Sequence, residues 1–359
     1  MLLGVCAVDD SSLRGGFPEA GALACRYLLG AVAALRNAHA DIEVVVFTDG
    51  ASSALFKDFP QVEVVPRRTF LLSQTYARNL HQAAKKARVD VLVAPASTMP
   101  CDKRADYARI ALIFDLLPWR VKRRNNADAA EHSLPRRVLR ACRLAQGIVC
   151  PSQAAQKLSA SLLGVGMEKI SVAPPGINPV FDAPQAPVVR PPYALLPINP
   201  YTLHGLPHLV EALKKRPEHF PPTLVVTGPA HPDEPSDWGR DIIRVESCPP
   251  NMTAALLQHA ALFLYPAPWD MSAMPVLEAM RAGVPVIAPR SGAIPEIAGN
   301  APFYCDSQNS ASIIQTMRRF CEETPKERVE RVAMGRGSSL EYVWERCAWK
   351  LVTAVRRVG

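Results

Sequence analysis

Tyr265-Pro266-Ala267-Pro268-Trp269-Asp270-Met271-Ser272-Ala273-Met274-Pro275-Val276-Leu277-Glu278-Ala279-Met280-Arg281-Ala282-Gly283-Val284-Pro285-Val286-Ile287 decides how the chain folds. It reads as the end of a buried strand, a loop, a helix, a glycine stop and a second buried strand. Pro275 suits the first helical turn, where its missing N–H costs nothing, and Gly283 suits the position just past the helix end. Strands without polar alternation on either side of a helix indicate a parallel sheet covered on both faces. The helix would then start at the carboxyl end of a parallel strand, where free N–H groups and the dipole favour an anion. Asp270 and Glu278 bracket that point with seven residues between them.

The same alternation extends outward. Upstream, Tyr193 to Ile198, Thr223 to Thr227 and Ala261 to Tyr265 are strands, with helices over Leu206 to Lys215 and Asn251 to His259. A first series has strands at Leu2 to Val8, Asp41 to Phe47, Gln61 to Val65, Asp90 to Ala94 and Arg109 to Phe114, with helices over Gly21 to Ala38 and Tyr76 to Ala87. Between the two series lies the Pro-rich stretch Asp182-Ala183-Pro184-Gln185-Ala186-Pro187, a linker candidate. The fold class expected is α/β: two Rossmann-like, doubly wound domains over residues 1–182 and 183–339, facing across a cleft at the carboxyl ends of their strands. A chain of 359 residues that is 48% hydrophobic and 21% charged is long enough for two cores and too apolar for disorder.

The net charge of +8 is uneven. Residues 1–180 carry 23 basic and 15 acidic side chains, and residues 181–359 carry 18 of each. The densest run lies between Lys103 and Arg143 and includes Arg120, Lys122, Arg123, Arg124, Arg136, Arg137, Arg140 and Arg143. It reads either as a solvated face or as a surface for an anionic partner. Nucleic acid is disfavoured, because no aromatic stacking platforms are interleaved with these arginines.

Nine cysteines without a CxxC pair, and without clustered histidines, fit reduced thiols in a cytoplasmic protein and provide no zinc set. No apolar run reaches the roughly 18–20 residues of a spanning helix, and the start has no basic segment of a signal peptide. No Asp-x-Asp pair suggests a metal site, so no metal and no cofactor are expected.

The sequence around Asp270 resembles the retaining nucleotide-sugar glycosyltransferases of family 4, which have the GT-B fold. Their signature is a carboxylate, seven residues and a Glu, in a context met here by Pro275, Leu277 to Met280, Gly283, Pro285 to Ile287 and Ile294-Pro295-Glu296-Ile297-Ala298-Gly299. Ile113 to Pro118, Val149 to Ser152, Lys169 to Asn178 and Trp344 to Ala348 match further, so the resemblance spans nearly the whole chain, nearest a mannosyltransferase-like branch. It implies an N-terminal acceptor-binding domain, a C-terminal donor-binding domain, and a last helix, about 340–359, packing back on the first domain.

The resemblance also implies roles for residues. Glu278 would accept hydrogen bonds from the nucleotide ribose hydroxyls, and Asp270 would contact hydroxyls of the transferred sugar. Ser272, Ala273, Met274 and Leu277 would border the donor, and the glycine loop Arg14-Gly15-Gly16 would take one face of the diphosphate. Asp115 occupies the second place of the family's His-Asp pair, with Phe114 replacing the histidine. The family's Arg and Lys that neutralise the leaving diphosphate read Asn199 and His204 here. The Gly-Phe-Gly-Leu after the first carboxylate reads Met271-Ser272-Ala273-Met274, which is bulkier and conformationally less permissive. Asp270, Glu278, His204 and Asp115 are the catalytic candidates, with the head of the Met274 helix, Arg14 and Arg290 available to complete an electrostatic clamp.

The activity implied is retaining, metal-independent transfer of a hexose from a nucleoside diphosphate sugar to a saccharide or lipid-linked acceptor. The setting implied is assembly of surface polysaccharide, lipopolysaccharide or glycolipid. Arg120, Lys122, Arg123, Arg124, Arg136, Arg137 and Arg140 would face the acceptor or an anionic membrane, making the protein peripheral at the inner face. The alternative is a catalytically weak glycosyltransferase-like subunit that binds a partner.

Overall fold

The computed structural model describes residues 1–8, 18–39, 41–49, 53–64, 72–102, 104–114, 136–239 and 242–359, with backbone alone for 18–25, 54–55 and 72–75. The chain divides into two compact units, one made of Met1–Gly176 with Val343–Gly359 and the other of Ile177–Tyr342.

The first unit contains β1 (Leu2–Cys6), α1 (Pro18–Ala38), β2 (Glu43–Thr48), β3 (Gln61–Glu63), α2 (Leu72–Ala87), β4 (Val91–Pro95), β5 (Ala108–Leu112), α3 (Arg136–Leu144), β6 (Gly147–Cys150), α4 (Gln153–Leu163) and β7 (Ile170–Val172). The strands form one parallel sheet in the order β3-β2-β1-β4-β5-β6-β7. The central strand β4 is buried throughout, which is why it reads as a continuous apolar run.

The second unit contains β8 (Tyr193–Pro197), α5 (Leu206–Lys214), β9 (Thr223–Thr227), β10 (Ile242–Val245), α6 (Pro250–His259), β11 (Leu262–Leu264), α7 (Met274–Ala282), β12 (Val286–Pro289), α8 (Ile294–Ala298), β13 (Phe303–Cys305), α9 (Ser310–Glu322) and α10 (Pro325–Ser339). Its sheet is also parallel, in the order β10-β9-β8-β11-β12-β13. Leu196, Leu213, Leu224, Leu264, Met317 and Phe320 belong to its core, and burying side chains of this size contributes about 1.5–3 kcal/mol each.

The last helix, α11 (Trp344–Arg356), returns to the first unit. It packs on α1, β6 and β7, and its Cys347, Ala348, Leu351, Val352 and Val355 are buried. The Tyr27 ring lies 6.2 Å from that of Trp344, and its hydroxyl donates to the Ala173 carbonyl at 2.7 Å.

The division falls at Gly176, six residues before the boundary suggested by composition. Phe181, 2% exposed, packs on the second unit. Gln258 Nε2 donates to the Phe181 and Ala183 carbonyls at 3.2 and 2.9 Å, fastening the Pro-rich stretch there. A composition shift marks a change of backbone stiffness; side-chain burial decides where a compact unit begins. The structure adds the short strands β6, β7, β10 and β13, which the periodicity of the sequence does not mark.

Candidate functional site

Between β11 and α7 every residue from Tyr265 to Met274 is buried. The loop is organised by Asp270, which is fully buried. Its Oδ1 accepts from the Ser272 N–H at 2.7 Å, the Ser272 hydroxyl at 3.0 Å and the Ala273 N–H at 2.9 Å. Its Oδ2 accepts from the Tyr265 hydroxyl at 2.7 Å. Burial, and then the neighbouring Asp270 charge, raise the Tyr265 pKa well above its ordinary value, so the phenol keeps its proton and donates.

The sequence explains this turn. Ala273, the residue preceding α7, has no side-chain oxygen to cap the helix. Three residues earlier, Asp270 provides the acceptor and a negative charge where the dipole favours one. Ala273 adopts a left-handed conformation, φ 48°, a geometry that costs a residue bearing a Cβ about 1–2 kcal/mol. It occupies the place of the second glycine in the family's Gly-Phe-Gly, so the backbone conformation that favours glycine persists without it.

These contacts change the reading of three candidates. Asp270 is directed into its own loop, where its carboxylate accepts from the amides of Ser272 and Ala273, two and three residues away. Pro275 has no N–H, so Met274 and Val276 carry the remaining first-turn amides, and both residues are buried. Glu278 and Leu277 lie on α7, 5% and 0% exposed. An acid so deeply seated one turn inside the helix is poorly described as a solvated surface residue.

Two neighbouring loops press on this one. After β8, Asn199 Oδ1 accepts from the N–H groups of Tyr201 and Thr202, both at 3.0 Å, and the Asn199 side chain also bonds Tyr265. Asn199 is thus a turn-former linked to the Asp270 cluster, in the place where the family has a cation. After β12, the Ala293 N–H donates to the Asp270 carbonyl at 2.8 Å. A Cβ on Gly292, at φ 61°, would stand 2.2 Å from that carbonyl oxygen, so the close approach requires glycine.

His204 ends a short turn, its ring 5.4 Å from that of Trp269. Burial lowers its pKa, with a smaller opposing effect from Asp233, so the imidazole is neutral at pH 7. It is the residue that the resemblance aligns with the family's lysine, and it carries no fixed charge. Arg290 is exposed at the end of β12, its guanidinium 4.8 Å from the Tyr304 ring centre. Among the described residues no group of three His, Cys, Asp or Glu side chains stands together as a metal set.

In the first unit, Arg14, Gly15, Gly16, Asp115, Arg120, Lys122, Arg123 and Arg124 lie outside the described residues. On α3, Arg136 and Arg143 are exposed. Arg140 Nη2 donates to the Cys101 carbonyl at 3.2 Å, and Arg137 Nη2 to the Met99 carbonyl at 3.5 Å. Val138 is 3% exposed and faces the core, because α3 buries that stripe against β5.

Tyr265 and Gly292 were not among the candidates from sequence. A tyrosine ending an apolar strand five residues before an acid is a usable signal for the first; the second depends on a contact across the sheet.

Residues 26–181 match the family model described as Glycosyltransferase Family 4, and residues 199–323 match the one described as Glycosyl transferases group 1. The chain is similar to O-antigen chain mannosyltransferase B of Escherichia coli, 29% identical over 101 residues, which are 27% of this chain and 25% of that protein. MMP alpha-(1->4)-mannosyltransferase of Mycolicibacterium hassiacum is 27% identical over 142 residues, 38% of this chain and 34% of that protein. The matched part thus spans about a quarter to a third of these relatives' length.

Among solved structures, sucrose-phosphate synthase from Thermosynechococcus elongatus superposes with TM-score 0.76 at 13% identity, over 99% of this chain and 98% of that one. Anabaena HepE in complex with UDP-glucose gives 0.70 at 15% identity over 100% of both chains. WaaG, a glycosyltransferase involved in lipopolysaccharide biosynthesis, gives 0.67 at 14% over 100% and 99%. At such identities the likeness shows the fold, which is GT-B.

Proposed function

The chain belongs to glycosyltransferase family 4, and from that premise we propose that it transfers a hexose from a nucleoside diphosphate sugar to a saccharide or lipid-linked acceptor. The observation that carries the reading is Glu278, a carboxylate held 5% exposed on α7, the helix that starts at the carboxyl end of β11. An acceptor-only anion there pairs with the two hydroxyl donors of a ribose. The nucleotide-bound form of HepE and the mannosyltransferase relatives support a nucleotide-sugar donor and a surface polysaccharide or glycolipid product.

The reaction runs with retention and without a protein nucleophile. The bond from the anomeric carbon to the leaving phosphate oxygen breaks, the acceptor oxygen bonds to that carbon on the same face, and the leaving phosphate takes the acceptor proton. The Met274 and Val276 amides at the head of α7 and the exposed Arg290, rather than a metal ion, offset the developing charge. The exposed Arg136 and Arg143 of α3 favour an anionic acceptor or membrane surface, and no described helix is long and apolar enough to cross a membrane.

One observation favours the second reading, a weakly catalytic subunit. Asn199 and the neutral His204 stand in place of two cations, and Asp270 occupies the Ser272 and Ala273 amides. Donor binding and turnover of wild type beside Glu278→Ala separate the readings. The transferase reading expects both to fall in the variant; wild-type binding without turnover supports the weak subunit, and identical behaviour of the two proteins would sink Glu278 as a donor ligand.

A further inference from the structure

The opposite end of α7 carries a feature that donor binding does not use. A cavity of about 490 Å³ lies in the second unit where α6 and α7 end, bordered by Asp182, His259, Arg281, Arg336 and Leu340 among others. The Arg281 side chain is only 10% exposed. Its Nη1 is 3.4 Å from Asp182 Oδ1 and its Nη2 donates to the Ser339 carbonyl at 3.1 Å, but its buried Nε has no hydrogen-bond partner. Arg336 Nη2 donates to the Ala282 carbonyl at 3.2 Å.

Helix carboxyl ends favour cations, and one donor of each arginine meets such a need. The remainder is unbalanced. Two guanidinium groups line the cavity with Asp182 as its one carboxylate, while His259 Nε2 is taken by the Gln185 carbonyl at 2.8 Å. A guanidinium N–H buried without an acceptor is unfavourable. An oxyanion would meet the Nη groups of Arg281 and the exposed Arg336, and paired guanidinium forks suit phosphate geometry. The volume exceeds what a bare phosphate fills, and Leu340 and the Asp182 carboxylate offer an apolar wall and an acceptor for hydroxyls.

We propose that this cavity binds the phosphate group of a small phosphate ester through Arg281 and Arg336. Arg281 follows Glu278 by three residues on α7, so an occupant that fixes Arg281 also holds the helix carrying Glu278. That link to the donor rests on the function proposed above; the binding site itself does not.

The test is a titration of the full chain with glycerol 3-phosphate, followed by phosphorus NMR, with glycerol and inorganic phosphate as comparison ligands. Saturable binding of the ester, tighter than inorganic phosphate and absent for glycerol, is expected. Arg336→Gln, an exposed position, should weaken it at least about tenfold with little change in melting temperature. Arg281→Lys, which keeps the charge but loses the planar fork, should weaken it similarly. Glu278→Ala should bind the ester like wild type. No saturable binding, equal affinity for inorganic phosphate, indifference to both arginine changes, or loss in Glu278→Ala would each overturn the proposal. Nucleotide-sugar binding measured in the same samples is independent: its absence beside intact ester binding counts against the donor reading alone.

Discussion

The Tyr265 hydroxyl donates to Asp270 Oδ2 at 2.7 Å, while the other oxygen of that carboxylate holds the start of α7 through Ser272 and Ala273. The acid that opens the family's signature is therefore the centre of a closed hydrogen-bond cluster. Its energetic role is structural before it is chemical.

Asp270→Ala is expected to destabilise the protein by at least about 3 kcal/mol, because several buried donors lose their acceptor together. Asp270→Asn, which keeps one carbonyl oxygen for Ser272 and Ala273, should cost less. Calorimetric unfolding of the two variants checks this. An unchanged melting temperature for Asp270→Ala combined with lost turnover would mean that the carboxylate acts on substrate instead.

Glu278→Gln removes charge but little volume. Nucleotide-sugar affinity should fall at least about tenfold, the equivalent of one charge-assisted hydrogen bond, as measured by calorimetric titration. Retained affinity would place the ribose elsewhere.

Gly292→Ala tests the contact with the Asp270 carbonyl. At φ 61°, with that oxygen 2.2 Å from the new Cβ, the substitution should cost at least about 2 kcal/mol and loosen the Asp270 loop. Chemical denaturation with a midpoint near that of wild type would contradict the close approach.

His204 predicts a pH dependence. Burial lowers its folded-state pKa, so the unfolded chain takes up the proton first as pH falls. Its contribution to stability is present above the unfolded value of about 6.5 and is lost as pH drops below it. Urea midpoints at pH 7.5 and 5.5 should therefore differ less in His204→Gln than in wild type. An equal difference in both proteins would show that His204 does not titrate as its burial requires.

The α3 arginines predict surface binding. Co-sedimentation with anionic vesicles should occur at low salt, weaken at high salt, and decrease in the double variant Arg136→Gln, Arg143→Gln, with about 1 kcal/mol per charge at stake. No binding at low salt would remove the membrane from the proposal.

Much of this molecule was legible in its residues. The β-α alternation, Pro275 and Gly283 at the ends of α7, and the place of Asp270 and Glu278 about that helix follow from local rules of backbone conformation and burial, which operate over a few residues. The lack of a fixed positive charge at Asn199 and His204 was equally plain, because charge belongs to residue type. Tertiary structure decided where each group points and what it meets. Asp270 turned inward because Tyr265, Ser272 and Ala273 surround it with donors, His204 stays neutral because it is half-buried, Val138 packs inward, and the unit boundary moved to Gly176 because Phe181 is buried. Arg281, unremarkable in sequence, lines a cavity and keeps a buried, unpartnered Nε only because distant segments surround it. Hydrogen-bond satisfaction and desolvation depend on such enclosure, and no local stretch of sequence contains it.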